Sequence, residues 1–474
     1  MFSQLRACAA ALAAAAALSA CQTFSPDGGM GRVAAIAGDG LNQGVVRVRS
    51  PEDAAAAQDA VARLLHAPLS ADAAVQIALY NNLGLQAAYN RLGIAEAVAV
   101  QSSRPPLPIF AFETVSTPLE LDFERKIIAS ILSLATWPAR SKIAGVRFEQ
   151  AQLQAAQETL NVGADARKAY WRAVAAREIL AAVSKAAANA DASAKLAESL
   201  KQSGALNTLE HARRQVFAKE MAAQVTAARQ QVSATQERLT RVLGLWGTDL
   251  SGVLPGALPP LVRTTRSLAA VEQEAMDRRV DLAIAKLEAE ALARSYGLTR
   301  KTRFINVVDA SGISKTQKDK GEGPSVDGGG FDIEFVVPIY DFGRARVREA
   351  EERYMEALNL LGERAVNARS EAREAYGAYA AAYKIAVQYQ NEVLPLRATI
   401  SRETELQYNA MQVDAFALLQ EARADTLAKV ASIEAKRNFW LAYTDLSVAV
   451  LGGGDLSPAA EAVMAADTSG AAGH

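Results

Sequence analysis

The chain has little to do chemistry with. Its 474 residues include three histidines (His66, His211 and His474) and two cysteines, Cys8 and Cys21. None of them stands with a partner at the spacing of a metal site or a catalytic triad, so an enzyme is the weakest reading. No cofactor is expected, and His211 reads as a polar surface residue. Net charge is scarce too. With 51 Lys+Arg against 52 Asp+Glu, the formal charge is −1, and no positive surplus is offered to nucleic acid. Aromatic residues make up only 6% of a chain that is 50% hydrophobic, and alanine dominates the apolar share. Alanine is the best helix former and a poor filler of wide cores. The composition therefore favours long helices packed closely side by side over two or three wide-cored domains.

Proline is absent over long stretches. Ala139 to Lys201 contains none, and these 63 residues (201 − 139 + 1) would form a helix of roughly 95 Å. The matching run, Arg344 to Ala410, carries Val347, Ala350, Tyr354, Ala357 and Leu361 at spacings of 3, 4, 3 and 4, and Tyr376, Tyr379 and Tyr383 continue the rhythm. Such a stripe is an interhelical seam. Pro395 interrupts the second run and predicts a kink there.

Arg6, an alanine–leucine stretch to Ala17 and then Leu18-Ser19-Ala20-Cys21 make a secretory signal whose apolar core is too short to span a membrane permanently. Leu-Ser-Ala-Cys resembles a bacterial lipobox, which implies that Cys21 is lipidated and becomes the mature N-terminus. Gln22 in place of the inner-membrane retention aspartate favours the outer membrane. Residues Thr23 to Pro68, with Gly28-Gly29, Gly38 and Gly40, read as an extended tether. After Gly452-Gly453-Gly454 an Ala/Gly/Ser tail is expected to be disordered.

The middle of the chain echoes itself. Ala166-Arg167-Lys168-Ala169-Tyr170 matches Ala372-Arg373-Glu374-Ala375-Tyr376 (376 − 170 = 206), and Val242-Leu243-Gly244 matches Val450-Leu451-Gly452 (452 − 244 = 208). Ala78 and Leu85 match Ala275 and Leu282 at an offset of 197 (275 − 78). The common order predicts two repeats, divided at the proline cluster Leu254 to Pro260. The chain thus divides into 1–20 signal peptide, 21–68 lipidated tether, 69–254 first repeat, 255–265 linker, 266–453 second repeat and 454–474 tail. Each repeat reads as helix, strand pair, long helix and returning helix. The returns are Ser203 to Thr208 and Met411 to Asp414, and aligning Gly204 with Met411 (411 − 204 = 207) puts both turns at one end, far from the strands.

Leu119 to Glu124 and Phe331 to Phe335 alternate strictly between apolar and acidic, the mark of a strand with one greasy and one wet face. Phe110 and Phe112 supply a partner for the first, and Arg303 to Asp309 a partner for the second. Lys315 to Gly330 reads as a polar, glycine-rich loop joining the second pair. Four strands cannot close a barrel, and an open edge cannot sit in lipid. Three copies would give 4 × 3 = 12 strands. Leu119, Leu121, Phe123, Phe331, Ile333 and Phe335 would then face lipid, and Glu120, Asp122, Glu124, Asp332 and Glu334 the lumen.

With those features in place the chain resembles the bacterial outer-membrane efflux family, the TolC-like channels. The likeness is carried by Pro338-Ile339-Tyr340-Asp341-Phe342-Gly343-Arg344, similar to the family's strand-to-helix junction, and by Val393-Leu394-Pro395-Leu396. Tyr408 to Gln412 with Leu418-Leu419 and the closing Val450 to Gly453 extend it, so that Leu69 to Gly453 is covered. The first half departs at Trp137-Pro138-Ala139-Arg140, which lacks the junction glycine, and its passage Lys126 to Thr136 is longer and more apolar. The resemblance implies a mainly α fold: long antiparallel helices forming a trimeric periplasmic α-barrel, with a shared 12-stranded transmembrane β-barrel. It also implies a homotrimer in the outer membrane, in contact with its lipid, with most of each chain in the periplasm. The periplasmic tip (Gly204, Asn207, Met411 and Asp414) would meet an adaptor protein coupled to an inner-membrane pump, and Pro338 and Gly343 would form the strand-to-helix junction. A non-conducting lipoprotein spacer between outer membrane and cell wall remains the alternative from another class; paired amphipathic strands argue against it. The cargo is not written in the sequence.

Overall fold

The computed structural model describes residues 24–246, 250, 252–262, 267–305, 307–321 and 323–452. The signal peptide, Cys21 and the 454–474 tail lie outside the described residues. The helices are α1 (Pro51–Leu65), α2 (Ala71–Asn81), α3 (Leu83–Ser102), α4 (Ile131–Gln202), α5 (Thr208–Leu243), α6 (Leu268–Arg278), α7 (Val280–Lys301), α8 (Arg344–Gln388), α9 (Leu394–Asn409) and α10 (Ala415–Leu451). The strands are β1 (Ile109–Ser116), β2 (Glu120–Ser130), β3 (Val307–Asp319) and β4 (Val326–Val336). Among the described residues no helix is long and apolar enough to cross a membrane.

The chain divides into two compact units. One comprises residues 24–32, Tyr89–Ala155 and Leu282–Arg364, and holds the sheet; the other comprises Val33–Ala88, Ala156–Asp281 and Ala365 onward. In the first unit the strands form one antiparallel sheet in the order β1-β2-β3-β4. Two expectations need correction here. Lys315 to Gly330 is mostly strand, because β3 runs to Asp319 and β4 starts at Val326, and Arg303 precedes β3. The period was hidden because Lys315, Thr316, Gln317 and Lys318 are polar on both faces and Gly328 to Gly330 carry no side chains. Nor is there a long apolar passage from Lys126 to Thr136, since β2 runs to Ser130 and α4 begins at Ile131. Pro138 lies inside that helix. Side-chain donors serve the first turn: Thr136 Oγ1 donates to the Leu132 carbonyl (2.8 Å) and Arg140 Nη2 to that of Ser133 (2.8 Å).

The core of the second unit is aromatic. Trp171 stacks on Trp440 with centroids 4.6 Å apart, and Phe439 packs between Tyr379 (5.7 Å) and Tyr383 (5.8 Å). The tyrosine stripe of α8 is thus a seam against α10. Tyr170 O–H donates to the Leu69 carbonyl (2.8 Å), and burial pushes its pKa up to about 12. A buried Lys168–Asp445 pair at 2.5 Å ties α4 to α10; removing either partner alone would strand a charge, at about 3–5 kcal/mol.

Two of the pairs matched in sequence, Ala78 with Ala275 and Gly244 with Gly452, lie beside helix breaks in this unit. Asn82 N–H donates to the Ala78 carbonyl (2.9 Å) where α2 breaks into α3, and Arg279 N–H to the Ala275 carbonyl (3.1 Å) where α6 breaks into α7. Each break receives the glycine that ends a returning helix. Gly244 (φ 68°) lies against the Asn81 carbonyl, and Gly452 (φ 76°) against Val280 and Asp281.

The described part of the expected tether is not extended throughout. Met30–Leu41 is helical, with Val33, Ala37 and Leu41 buried. Leu41 seats on Gly163, where an added Cβ would come within 2.7 Å of it. The side chains of Gln76 and Gln86 bond the backbone of Gly44, Val46 and Val48. Ser50 and Asp53 close a capping box on α1, with Pro51 at its first position. That Ser-Pro-Glu-Asp signal was present in the sequence; the glycines around it concealed it.

Candidate functional site: the two-faced sheet and the helical turns

Pairing register sorts the side chains of the sheet, because residues directly opposite one another share a face. Glu120, Asp122 and Glu124 oppose Asp319, Gln317 and Lys315, while Asp332 and Glu334 oppose Ser311 and Asp309. The five acids expected to act together therefore lie on one face. Glu113, opposite Glu124, joins them with Asp309 and Asp319. This face also carries two cations that sequence reading missed. Lys315 pairs with Asp122 (3.0 Å) and Lys126 with Asp332 (3.4 Å). Lys315 stands in a polar, glycine-rich stretch that reads as a loop, and Lys126 opens a stretch that reads as a passage to the helix. Gln317 Nε2 donates to Glu120 (2.7 Å).

The other face is mostly apolar and largely exposed. Leu121, Phe123 and Ile127 share it with Phe110, Phe112, Phe331, Ile333 and Phe335. Phe112 is 77% exposed and Phe331 71%. Along β2 the polar face is the more covered, with Lys126, Ile128 and Ser130 half-buried and Arg125, Ile127 and Ala129 exposed. Each strand is paired with its neighbours in the order β1-β2-β3-β4, so among the described residues β1 and β4 each keep one backbone edge without a strand partner.

The second junction is a strained turn. Phe342 (φ 51°) and Gly343 (φ 72°) are both left-handed, and Phe342 N–H donates to the Pro338 carbonyl (2.8 Å). An added Cβ on Gly343 would collide with the Arg303 carbonyl. Asp341 accepts from the N–H groups of Gly343 (2.9 Å) and Ala345 (3.0 Å), capping α8. Those bonds, the one from Ala345 foremost, hold its carboxyl below the ordinary range.

The two turns of the second unit are built alike. After α4, Ala205 N–H donates to the Leu200 carbonyl (2.8 Å) around Gly204 (φ 78°); after α9, Gln412 N–H donates to the Gln407 carbonyl (2.8 Å) around Met411 (φ 61°). Each is followed by a cap, Asn207 accepting from Glu210 N–H (2.8 Å) and Asp414 from Ala417 N–H (2.9 Å). Met411 is 93% exposed. Nearby the Arg213 guanidinium lies over the Phe416 ring (4.7 Å), and Arg423 pairs with Glu220 (2.5 Å). His211, expected to be a plain surface residue, is largely covered and bonds Glu198 (2.5 Å). That bond holds the Glu198 carboxyl below its ordinary pKa. Before Pro395, where a kink is expected, the helix widens into a π turn at Tyr389–Val393.

The chain is similar to the outer-membrane channel OprN, with a TM-score of 0.68 at 19% identity, covering 86% of this chain and 94% of that one. It is also similar to the CmeC outer-membrane channel of Campylobacter jejuni (0.66, 17%, 83% and 88%) and to the open state of the MtrE outer-membrane channel of Neisseria gonorrhoeae (0.65, 16%, 80% and 88%). No family model and no curated protein sequence matches. The fold is that of the TolC-like outer-membrane efflux channels.

Proposed function

We propose that the chain is the outer-membrane channel of a tripartite efflux system, a passive conduit from periplasm to exterior. The observation that carries this reading is an exposed apolar sheet face flanked by two unpaired strand edges. In lipid each unsatisfied edge group would cost several kcal/mol, and three copies (4 × 3 = 12 strands) remove the edges by closing a barrel wide enough to be hollow. Membrane barrels need about eight strands at least. The polar face then lines the lumen through Glu120, Asp122, Glu124, Asp332 and Glu334. Lys315 and Lys126 offset Asp122 and Asp332, so cation preference rests more on Glu120, Glu124 and Glu334. Pro338 and Gly343 turn the chain from barrel to helix. The turns at Gly204, Asn207, Met411 and Asp414 form the periplasmic tip, where an adaptor and an inner-membrane pump open the path. Cys21 anchors the N-terminus to outer-membrane lipid, and the chain itself performs no chemistry.

The test is the mass of the detergent-extracted protein followed by single-channel recording. Three chains and a cation preference that weakens with salt are expected. Glu124→Gln with Glu334→Gln should lower that preference more than Asp122→Asn with Asp332→Asn. Cys21→Ser should leave the trimer in the membrane, since a lipid anchor is a modest attachment beside a spanning barrel. A stable monomer that keeps its sheet, or an unlipidated chain free in solution, would sink the channel and favour the spacer.

A further inference from the structure

We propose that the apolar face of the sheet carries a site for the phosphate of an anionic lipid, formed by Arg125 and Lys318. The inference rests on the membrane reading above. The two faces treat their cations differently. On the polar face Lys315 and Lys126 have carboxylate partners. On the apolar face Arg125 stands along β2 between Phe123 and Ile127 and opposes Phe112 and Ser314. Lys318 opposes Leu121, its ammonium 5.9 Å from the Phe123 ring centroid. Both cations are exposed, and among the described residues neither has a carboxylate in ion-pair range. The acid of this face on β4, Asp327, opposes Thr316 in the row between them.

An unpaired cation in an apolar band facing hydrocarbon is unfavourable and is relieved by snorkelling toward an anion at the interface. Two residues separate successive rows of one face, so Arg125 and Lys318 stand roughly 14 Å apart at Cα, within joint reach of one headgroup. Ser314 and Thr316 lie on the same face of β3, opposite Arg125 and Phe123. Lys318 is near the hairpin end of β3 and Arg125 deeper, so the headgroup sits toward the hairpin turns and its chains run toward the helices. Gly312 separates Ile127 from Phe331 in the row beneath Arg125, and nothing lies within 4 Å of where its Cβ would be. An acyl chain fits in that gap.

The test reconstitutes the full-length protein into phosphatidylcholine vesicles containing a minor fraction of phosphatidylglycerol. The protein is then re-extracted and the retained lipid counted by mass spectrometry. Phosphatidylglycerol should be enriched about fivefold over its bulk share, a conservative figure for two cations beside an anionic lipid. Arg125→Gln with Lys318→Gln should return it to the bulk ratio with the trimer mass unchanged. Arg125→Lys with Lys318→Arg should keep the enrichment, as should Arg348→Gln on α8, and excess inorganic phosphate should not displace the lipid. Enrichment that survives the double glutamine variant, or that inorganic phosphate abolishes, overturns the site. Wild-type protein that inserts but retains lipid at the bulk ratio overturns this proposal alone; wild-type protein that never inserts overturns the membrane reading beneath it.

Discussion

The two strand-to-helix passages of the sheet meet one requirement in opposite ways. Between β2 and α4 the backbone passes from Ser130 to Ile131 with no turn, and a proline is carried seven residues into the helix. Between β4 and α8 it takes residues 337–343 and two left-handed residues in succession. Within the chain β2 is an inner strand paired on both sides, whereas β4 is an edge strand paired, among the described residues, on one side only. The inner strand can hand its direction straight to a helix. The edge strand is redirected by a turn of fixed shape that closes on the Arg303 carbonyl just before β3. One junction is therefore tolerant of sequence and the other is not.

Gly343→Ala should break the second passage, because the left-handed φ and the collision with the Arg303 backbone act together. A loss of about 3 kcal/mol is expected, read as a fall in thermal midpoint or as failure to extract folded protein. Ala139→Gly, at a comparable point after the first passage, should cost about 1 kcal/mol, the ordinary helix-interior value. Equal losses would mean that the two passages do not differ as argued.

The helix breaks give a second contrast between the halves. A Cβ on Gly244 would meet the rigid Asn81 carbonyl, whereas one on Gly452 would meet an Asp281 side-chain oxygen at 2.8 Å and the Val280 nitrogen at 3.0 Å. Gly244→Ala should therefore cost about 3 kcal/mol and Gly452→Ala about 1–2 kcal/mol, measured by denaturant midpoint. The reverse order would show that the Asp281 side chain, held by Arg279 (2.8 Å), yields less than the Asn81 backbone.

Much of this is legible in the sequence, for reasons that lie in particular residues. The alternation of Leu119 to Glu124 and of Phe331 to Phe335 fixed which side chains share a face, because period two leaves no other choice. Two of the three matches, Ala78 with Ala275 and Gly244 with Gly452, mark helix breaks and end caps, which depend on glycine and short hydrogen-bonded turns. What escaped was tertiary. Nothing local says that Leu41 seats on Gly163, or that β3 is polar on both faces because one face is paired with acids and the other carries Thr316 and Lys318. Pro138 reads as a helix boundary, yet Thr136 and Arg140 supply donors for the turn around it.

The turns offer a milder test. Gly204 and Met411 occupy the same left-handed position in otherwise equivalent motifs, and a side chain there costs roughly 1 kcal/mol. Met411→Gly should stabilise the second turn by about that amount and Gly204→Ala should destabilise the first by as much. If Met411→Gly instead weakens binding of the proposed adaptor without stabilising the chain, the exposed methionine is retained for contact.

The smallest effect concerns Asp341. Backbone hydrogen bonds hold its folded pKa below the ordinary value of 3.8. A carboxylate depressed on folding contributes stability that is present above the unfolded pKa and lost as pH falls through the folded one. Asp341→Asn keeps a competent cap but removes the titration. Wild type should therefore exceed the variant in thermal midpoint near pH 7, and the gap should close below about pH 3.8. The first passage, with no carboxylate between Ser130 and Arg140, supplies no such term. A gap that stays constant from pH 7 to pH 3 would mean that the caps differ in shape alone and that the charge on Asp341 does not help hold the second passage.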